Sequence, residues 1–175
     1  MNLRKAILEE HSKAQTDKIV HWIGQDVMKL QELMNLFMND EYRVVQRSAW
    51  MVSEVAKKYP DLFQPYIPYL IEKLADIDAH IAVRRNVFRI FASLDLPETS
   101  HGIIMHHCFE ALKNPKEALA VRAFAVSILT RLMKVYHEII QELKIILENY
   151  LQYESAPSFK SVANKALRQM AKNHK

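Results

Sequence analysis

One short pattern returns along the chain at a fixed distance, and it leaves little choice of fold. An apolar residue followed four positions later by a small or apolar one occurs at Val45/Ala49, Val83/Val87 and Val121/Ala125, with anchors 38 residues apart both times. A fainter copy at Val162/Ala166 lies 41 residues further on, and a still fainter one is traced at Ala14, 31 residues before Val45. Four-residue spacing puts both members of a pair on one side of a helix. A period near 38 leaves room for two helices, so the chain reads as a series of helical hairpins. A unit of that size buries its apolar side only against its neighbours, which is the logic of a solenoid.

The clearest unit runs from Asp40 to Asp76. Val44, Val45, Ala49, Val52, Val55 and Ala56 form the inward side of its first helix, and Pro60 ends that helix. Asp61 is placed to cap the second helix, with Pro65 in its first turns and Pro68 deep enough to make its start irregular. Leu62, Phe63, Tyr66, Ile67, Leu70, Ile71 and Leu74 supply its apolar side. The next unit, 78–114, carries Ile81, Val83, Val87, Ile90 and Phe91, a corner at Pro97, and Ser100 as cap of a helix from Gly102 to Lys113. A third, 116–152, has Val121, Ala125, Ile128, Leu129 and Leu132, a break near Tyr136-His137, then Ile139, Ile140, Leu143, Ile146, Leu147, Tyr150 and Leu151.

Outside these three units the pattern weakens. Residues 3–38 read as a degenerate repeat, broken at His11-Ser12 and closed at Gly24, with Leu3, Ile7, Ile19, Val20 and Ile23 inward. Val27, Leu30, Leu33, Met34 and Phe37 stripe the helix that follows. Residues 158–172 read as a capping helix, with Phe159, Val162, Ala163, Ala166, Leu167 and Met170 on one side and a wet, basic back. The expected fold is all-α, a single repeat domain of about four hairpins plus that cap. Only two glycines stand in 175 residues, so turns needing positive φ are scarce and β-hairpins are hard to build.

The residues 40–152 resemble the HEAT-repeat family and its armadillo-like relatives. Val83-Arg84 with Val87 and Phe91, and Val121-Arg122 with Ala125 and Leu129, look like the family's first-helix pattern. Tyr59-Pro60 with Pro65, Tyr66, Ile67, Pro68, Leu70 and Leu74 resembles its proline-led second helix. Asp78 and Arg84 match the family's Asp–Arg pair, which links stacked repeats. The match departs elsewhere: the earlier unit has Asp40 and Gln46, with Arg47 one position late, and the later one has Lys116 and Arg122. The resemblance implies a right-handed α-α superhelix, a fold that hosts many partners and specifies no activity.

Each cluster of chemistry-bearing residues has a plainer reading. His106-His107-Cys108 fan out by about 100° each, and His101 is five residues away, so convergence on a metal is not expected. Cys108 is expected buried beside Phe109, with both histidines facing outward. No phosphate-binding glycine loop or nucleophile elbow fits two isolated glycines. No catalytic residue, metal or cofactor is assigned. Trp22 and Trp50 read as packing between repeats, and the methionines Met28, Met34 and Met38 as core filling.

The charge is uneven. Residues 1–152 hold 19 Lys+Arg and 19 Asp+Glu, while 153–175 hold five cations against Glu154 alone. The resemblance implies non-enzymatic recognition of a protein or peptide by the concave face, through Lys29, Glu32, Tyr69, Glu72, His106, Glu110, Lys144 and Glu148. The alternative is a nucleic-acid role, related to DNA repair, using Arg84, Arg85, Arg89, Lys160, Lys165, Arg168 and Lys172. A self-associating structural unit is a third. A single cysteine and a charged start without a signal-like apolar run fit a cytoplasmic protein, and no run is long enough for a bilayer. The far-UV circular dichroism spectrum is expected to show helical minima with no sheet component; substantial sheet would defeat the repeat reading.

Overall fold

The computed structural model describes residues 1–76, 81–153 and 156–173. Ten α-helices follow in order: α1 (Leu3–Glu9), α2 (Lys13–Ile23), α3 (Val27–Asn39), α4 (Tyr42–Lys58), α5 (Ile67–Ala75), α6 (Ile81–Ser93), α7 (Glu98–Lys113), α8 (Leu119–Leu132), α9 (Ile140–Tyr153) and α10 (Pro157–Asn173). Two 3₁₀ turns, Pro60–Tyr66 and His137–Ile139, lead into α5 and α9. No strand occurs among the described residues. The chain forms two compact units, Met1–Pro97 with α1–α6 and Glu98–Lys175 with α7–α10. The repeat expected at 78–114 is thus shared out between them.

In the first unit α4 is central, packed against α1, α2, α3 and α6. The repeat anchors explain why. Val45, Ala49 and Val83 are all buried, and Val44, Met51, Val52, Val55 and Ala56 complete the inward side of α4. Ser48, Ser53 and Asn86 are buried as well, and each is satisfied. Ser48 donates to Val45 O at 3.1 Å, and Ser53 donates to Trp50 O at 3.0 Å. Asn86 donates to Ala82 O at 2.8 Å, and its Oδ1 lies 3.4 Å from Ser53 Oγ. That last contact joins α4 to α6 without leaving a polar group bare.

Helix ends follow local chemistry. Asn2, Ser12 and Asp26 cap α1, α2 and α3, accepting from Lys5 N, Gln15 N and Met28 N respectively. Gly24 closes α2 at φ 54°, with its N–H on Val20 O at 3.0 Å. Arg4 on α1 grips Asp40, just ahead of α4, in a fork: Nε to Oδ2 at 3.0 Å and Nη2 to Oδ1 at 3.1 Å. Arg47 on α4 donates to the carbonyl of Leu8 at 2.6 Å, near the end of α1. Arg84 on α6 donates to Leu74 O at 3.1 Å, near the end of α5. Each of the latter two arginines satisfies a carbonyl that a helix end leaves without an internal partner. Asp78, the expected partner of Arg84, lies outside the described residues.

In the second unit α8 is central, packed on α7 and α10. Val121, Ala125, Ile128, Leu129 and Leu132 are buried in it. Arg122 is buried too, with its guanidinium 4.9 Å from the ring centre of Tyr150 and 5.7 Å from that of Phe159. The two rings meet edge to face at 5.5 Å, and the Tyr150 hydroxyl donates to Leu112 O. One aromatic-boxed cation therefore ties α8 to α9 and α10, and Tyr150 extends the tie to α7.

Three expectations are corrected. Asp61 caps nothing: Pro60 and Pro65 remove N–H donors, so a 3₁₀ turn forms first and the α-helix begins only at Ile67. Ser100 is not a cap either, because α7 begins at Glu98, directly after Pro97, whose carboxylate suits the positive end of a helix. Gly102 therefore lies inside α7 rather than at its start. Val27 and Ile81 are exposed, not inward. Val27 is the first residue of its helix, where a side chain leaning toward the N-terminus has no preceding turn to cover.

The two glycines should respond oppositely to alanine. A Cβ at Gly102 meets nothing within 4 Å, so Gly102→Ala is expected to stabilise by about 0.5–1 kcal/mol, read by urea unfolding. Gly24→Ala should destabilise by about 1 kcal/mol, since its φ is positive. The Arg4 side chain, then the Glu41 N–H, hold the Asp40 carboxyl below its usual range. A carboxyl depressed on folding contributes stability at neutral pH that is lost as pH falls through that range. The thermal midpoint of Asp40→Asn should lie below wild type at pH 7, and the gap should close below about pH 4; a gap constant with pH would refute this.

Candidate partner-binding surface

The eight residues expected to meet a partner all stand on the second helices, α3, α5, α7 and α9. Glu32, Tyr69, Glu72, His106, Glu110, Lys144 and Glu148 are exposed; Lys29 is half-buried. Lys29 is committed locally. Its ammonium sits 4.8 Å over the Trp22 ring, donates to Trp22 O at 3.1 Å and lies 3.4 Å from Asp26. The Lys29 backbone N–H, then its ammonium and the Met28 N–H, hold the Asp26 carboxyl below its usual range. Lys29 thus pins the turn from α2 into α3.

Around that pin the first unit has an open depression of ≈ 620 Å³, lined by Met1, Trp22, Met28, Lys29, Gln31, Glu32 and Asn35. Two expected residues, Lys29 and Glu32, are brought together there. Met28, read from sequence as core filler, is instead 72% exposed at its edge. Met34 is buried and Met38 half-buried. Tyr69 and Glu72, three residues apart on α5, share a helix side.

The second unit presents a comparable arrangement. His106 and Glu110 are one turn apart on α7, and the rings of His106 and His107 are 5.6 Å apart. Cys108 is buried. Lys144 and Glu148 form a loose pair at 3.9 Å, both about half-exposed. A smaller depression of ≈ 300 Å³ is lined by Leu112, Lys113, Ile146, Asn149, Tyr150 and Tyr153. Tyr153 is 87% exposed, and Ile103 and Ile145 are exposed on α7 and α9. The apolar members of this surface were missed in the sequence. The available signal was an apolar residue off the inward stripe, as Ile145 stands between Leu143 and Leu147.

Of the basic residues on α6, two are engaged locally. Arg84 turns back on Leu74 O and the Phe88 ring, while Arg89 pairs with Glu54 at 2.8 Å; only Arg85 is fully exposed. On α10, helical spacing of about 100° per residue gathers Lys165, Arg168 and Lys172 on one arc and puts Lys160 at its other edge. Trp50 meets the His11 ring edge-on at 5.8 Å and its Nε1 donates to Glu54 at 3.3 Å, so it is half-buried between elements as expected of a packing residue.

Among the described residues, no group of three or more His, Cys, Asp or Glu side chains is placed to hold a metal ion. No helix among them is long and apolar enough to cross a membrane. No curated protein and no solved structure matches the chain. The HEAT repeat domain family does match, over residues 3–170, well beyond the 40–152 in which the repeats are plain. With its paired helices, its buried repeat anchors and that match, the chain belongs to the HEAT repeat domain family, an all-α solenoid class.

Proposed function

We propose that this chain is a non-enzymatic, cytoplasmic scaffold that recognises a protein or peptide through its second helices. The observation that carries the reading is where apolar side chains stay in water. Val27 and Met28 on α3, Tyr69 on α5, Ile103 on α7, and Ile145 and Tyr153 on α9 are all exposed, beside the polar residues named above. Desolvated apolar anchors with a polar surround are the composition of recognition surfaces, where a few anchors carry most of the binding energy. HEAT repeats generally mediate protein interactions, which supports the same reading. One buried cysteine fits a reducing compartment.

Lys144 and Glu148 offer a clean test because exchanging them keeps an i,i+4 pair. Lys144→Glu/Glu148→Lys should change stability by no more than about 0.5 kcal/mol. Affinity capture with wild type should yield a partner that binds saturably in isolation. That partner should bind at least tenfold more weakly to the exchanged protein and to Ile145→Asp/Tyr153→Asp. A partner insensitive to both variants, or none that saturates, would remove the reading. Sedimentation at high concentration checks self-association: a dimer lost in the Ile145/Tyr153 variant would assign this surface to a second copy of the chain instead.

A further inference from the structure

The charges of the second unit are segregated by helix. All seven of its carboxylate residues, Glu98, Glu110, Glu117, Glu138, Glu142, Glu148 and Glu154, stand outside α8 and α10. Residues 118–137 and 155–175 contain no Asp or Glu at all. These two helices pack directly on each other. Between them runs a groove of ≈ 200 Å³ whose polar lining is Ser127, Thr130, Arg131 and Lys134 from the α8 side and Lys165 and Gln169 from α10. Val162 and Ala166 complete the lining. The hydroxyls of Ser127 and Thr130 donate to Ala123 O and Val126 O, at 3.0 and 2.6 Å, so Lys134, Lys165 and the Gln169 amide are the groove's donors to a ligand. Lys134, Lys165 and Lys172 take part in no ion pair among the described residues.

We propose that the α8–α10 groove binds the phosphodiester backbone of duplex nucleic acid, with Lys134 on one wall and Lys165 on the other, and with the exposed Arg168 and Lys172 continuing the line of cations along α10 beyond the groove. The spacing suits a linear polyanion. Lys165 to Lys172 spans about 10 Å along α10, against a phosphate every ~3.4 Å of axis in one strand. Two walls of cations with no carboxylate in either helix give complementarity to a string of negative charges, where a folded acidic protein would present a patch. No exposed aromatic ring stands on α8 or α10, so there is no platform for stacking the bases of a single strand. Beside the groove's cations the large exposed apolar residue is Val135, just past α8, so an anionic membrane would find charge with one valine to insert and no inserting face. Lys160 and the Arg84, Arg85 and Arg89 run are not part of this surface. It uses different helices from the protein-binding reading, so either can fail alone.

The test is fluorescence anisotropy of the full chain with a 20-bp DNA duplex, the matching RNA duplex and a 20-nucleotide single strand, with phosphatidylserine vesicles as a parallel arm. At 50 mM salt at least one duplex should bind saturably, better than the single strand and the vesicles. With about four phosphates contacted, affinity should fall about a hundredfold by 200 mM salt. Lys134→Gln/Lys165→Gln/Lys172→Gln should weaken duplex binding at least tenfold. The control Lys18→Gln/Lys57→Gln/Lys58→Gln has the same change in net charge and should weaken it less than threefold; circular dichroism confirms that both stay folded. No saturable duplex binding at 50 mM salt, equal loss in the two variants, or tighter binding to single strand or vesicles would each overturn the proposal.

Discussion

A helix of thirteen to seventeen residues with one apolar stripe has nowhere to put that stripe except against another helix. In this chain the requirement falls hardest on α4 and α8, which are covered by neighbours before and after them in sequence. Small residues at Ala49 and Ala125 and β-branched ones at Val45 and Val121 line the contact, all buried. Burying a Val or Leu side chain is worth roughly 1.5–3 kcal/mol, so the two central helices hold much of what keeps each unit folded. The remaining helices are arranged by what these two demand.

The repeat arginines show how one sequence position can be used in different ways. Arg47 and Arg84 each reach back to a carbonyl near the end of an earlier helix. Arg122 stands at the matching place in the next repeat, but Tyr150 and Phe159 stand over it, and it is held by rings. The chemistry is suited to each setting. A guanidinium donates along its plane to carbonyls and stacks through its face on aromatics, which an ammonium does less well. Asp40, which the family pattern would pair with an arginine of its own repeat, is taken instead by Arg4 from α1. That substitution ties the degenerate first repeat to the first clear one.

Polar economy separates the two kinds of helix. First helices bury serine and asparagine and satisfy them internally, and α8 buries Arg122 against two rings. Second helices leave methionine, isoleucine and tyrosine in water beside acidic and basic neighbours, whereas the large apolar residues that α4 and α6 expose are Tyr42, the first residue of α4, and Ile81, the first described residue of α6. In the second unit the distinction extends to charge, since its carboxylates avoid α8 and α10 altogether. Helices that share a repeat thus differ in what they offer to solvent: mixed charge with apolar points on one, positive charge with no carboxylate of its own on the other.

The sequence by itself determined the all-α class, the 38-residue spacing, the buried anchors and most helix boundaries. These depend on periodicity and on proline and glycine, which act within a few residues. It also marked Gly24, His11-Ser12 and the Tyr136-His137 break, for the same local reason. Only the tertiary structure decided that Met28 remains exposed and that Arg84 and Arg89 are spent on Leu74 O and Glu54. It alone brought Arg131 and Lys134 opposite Lys165. Those outcomes depend on which side chains from distant segments reach the same place, and a helical period says which way a residue points but not what stands across from it.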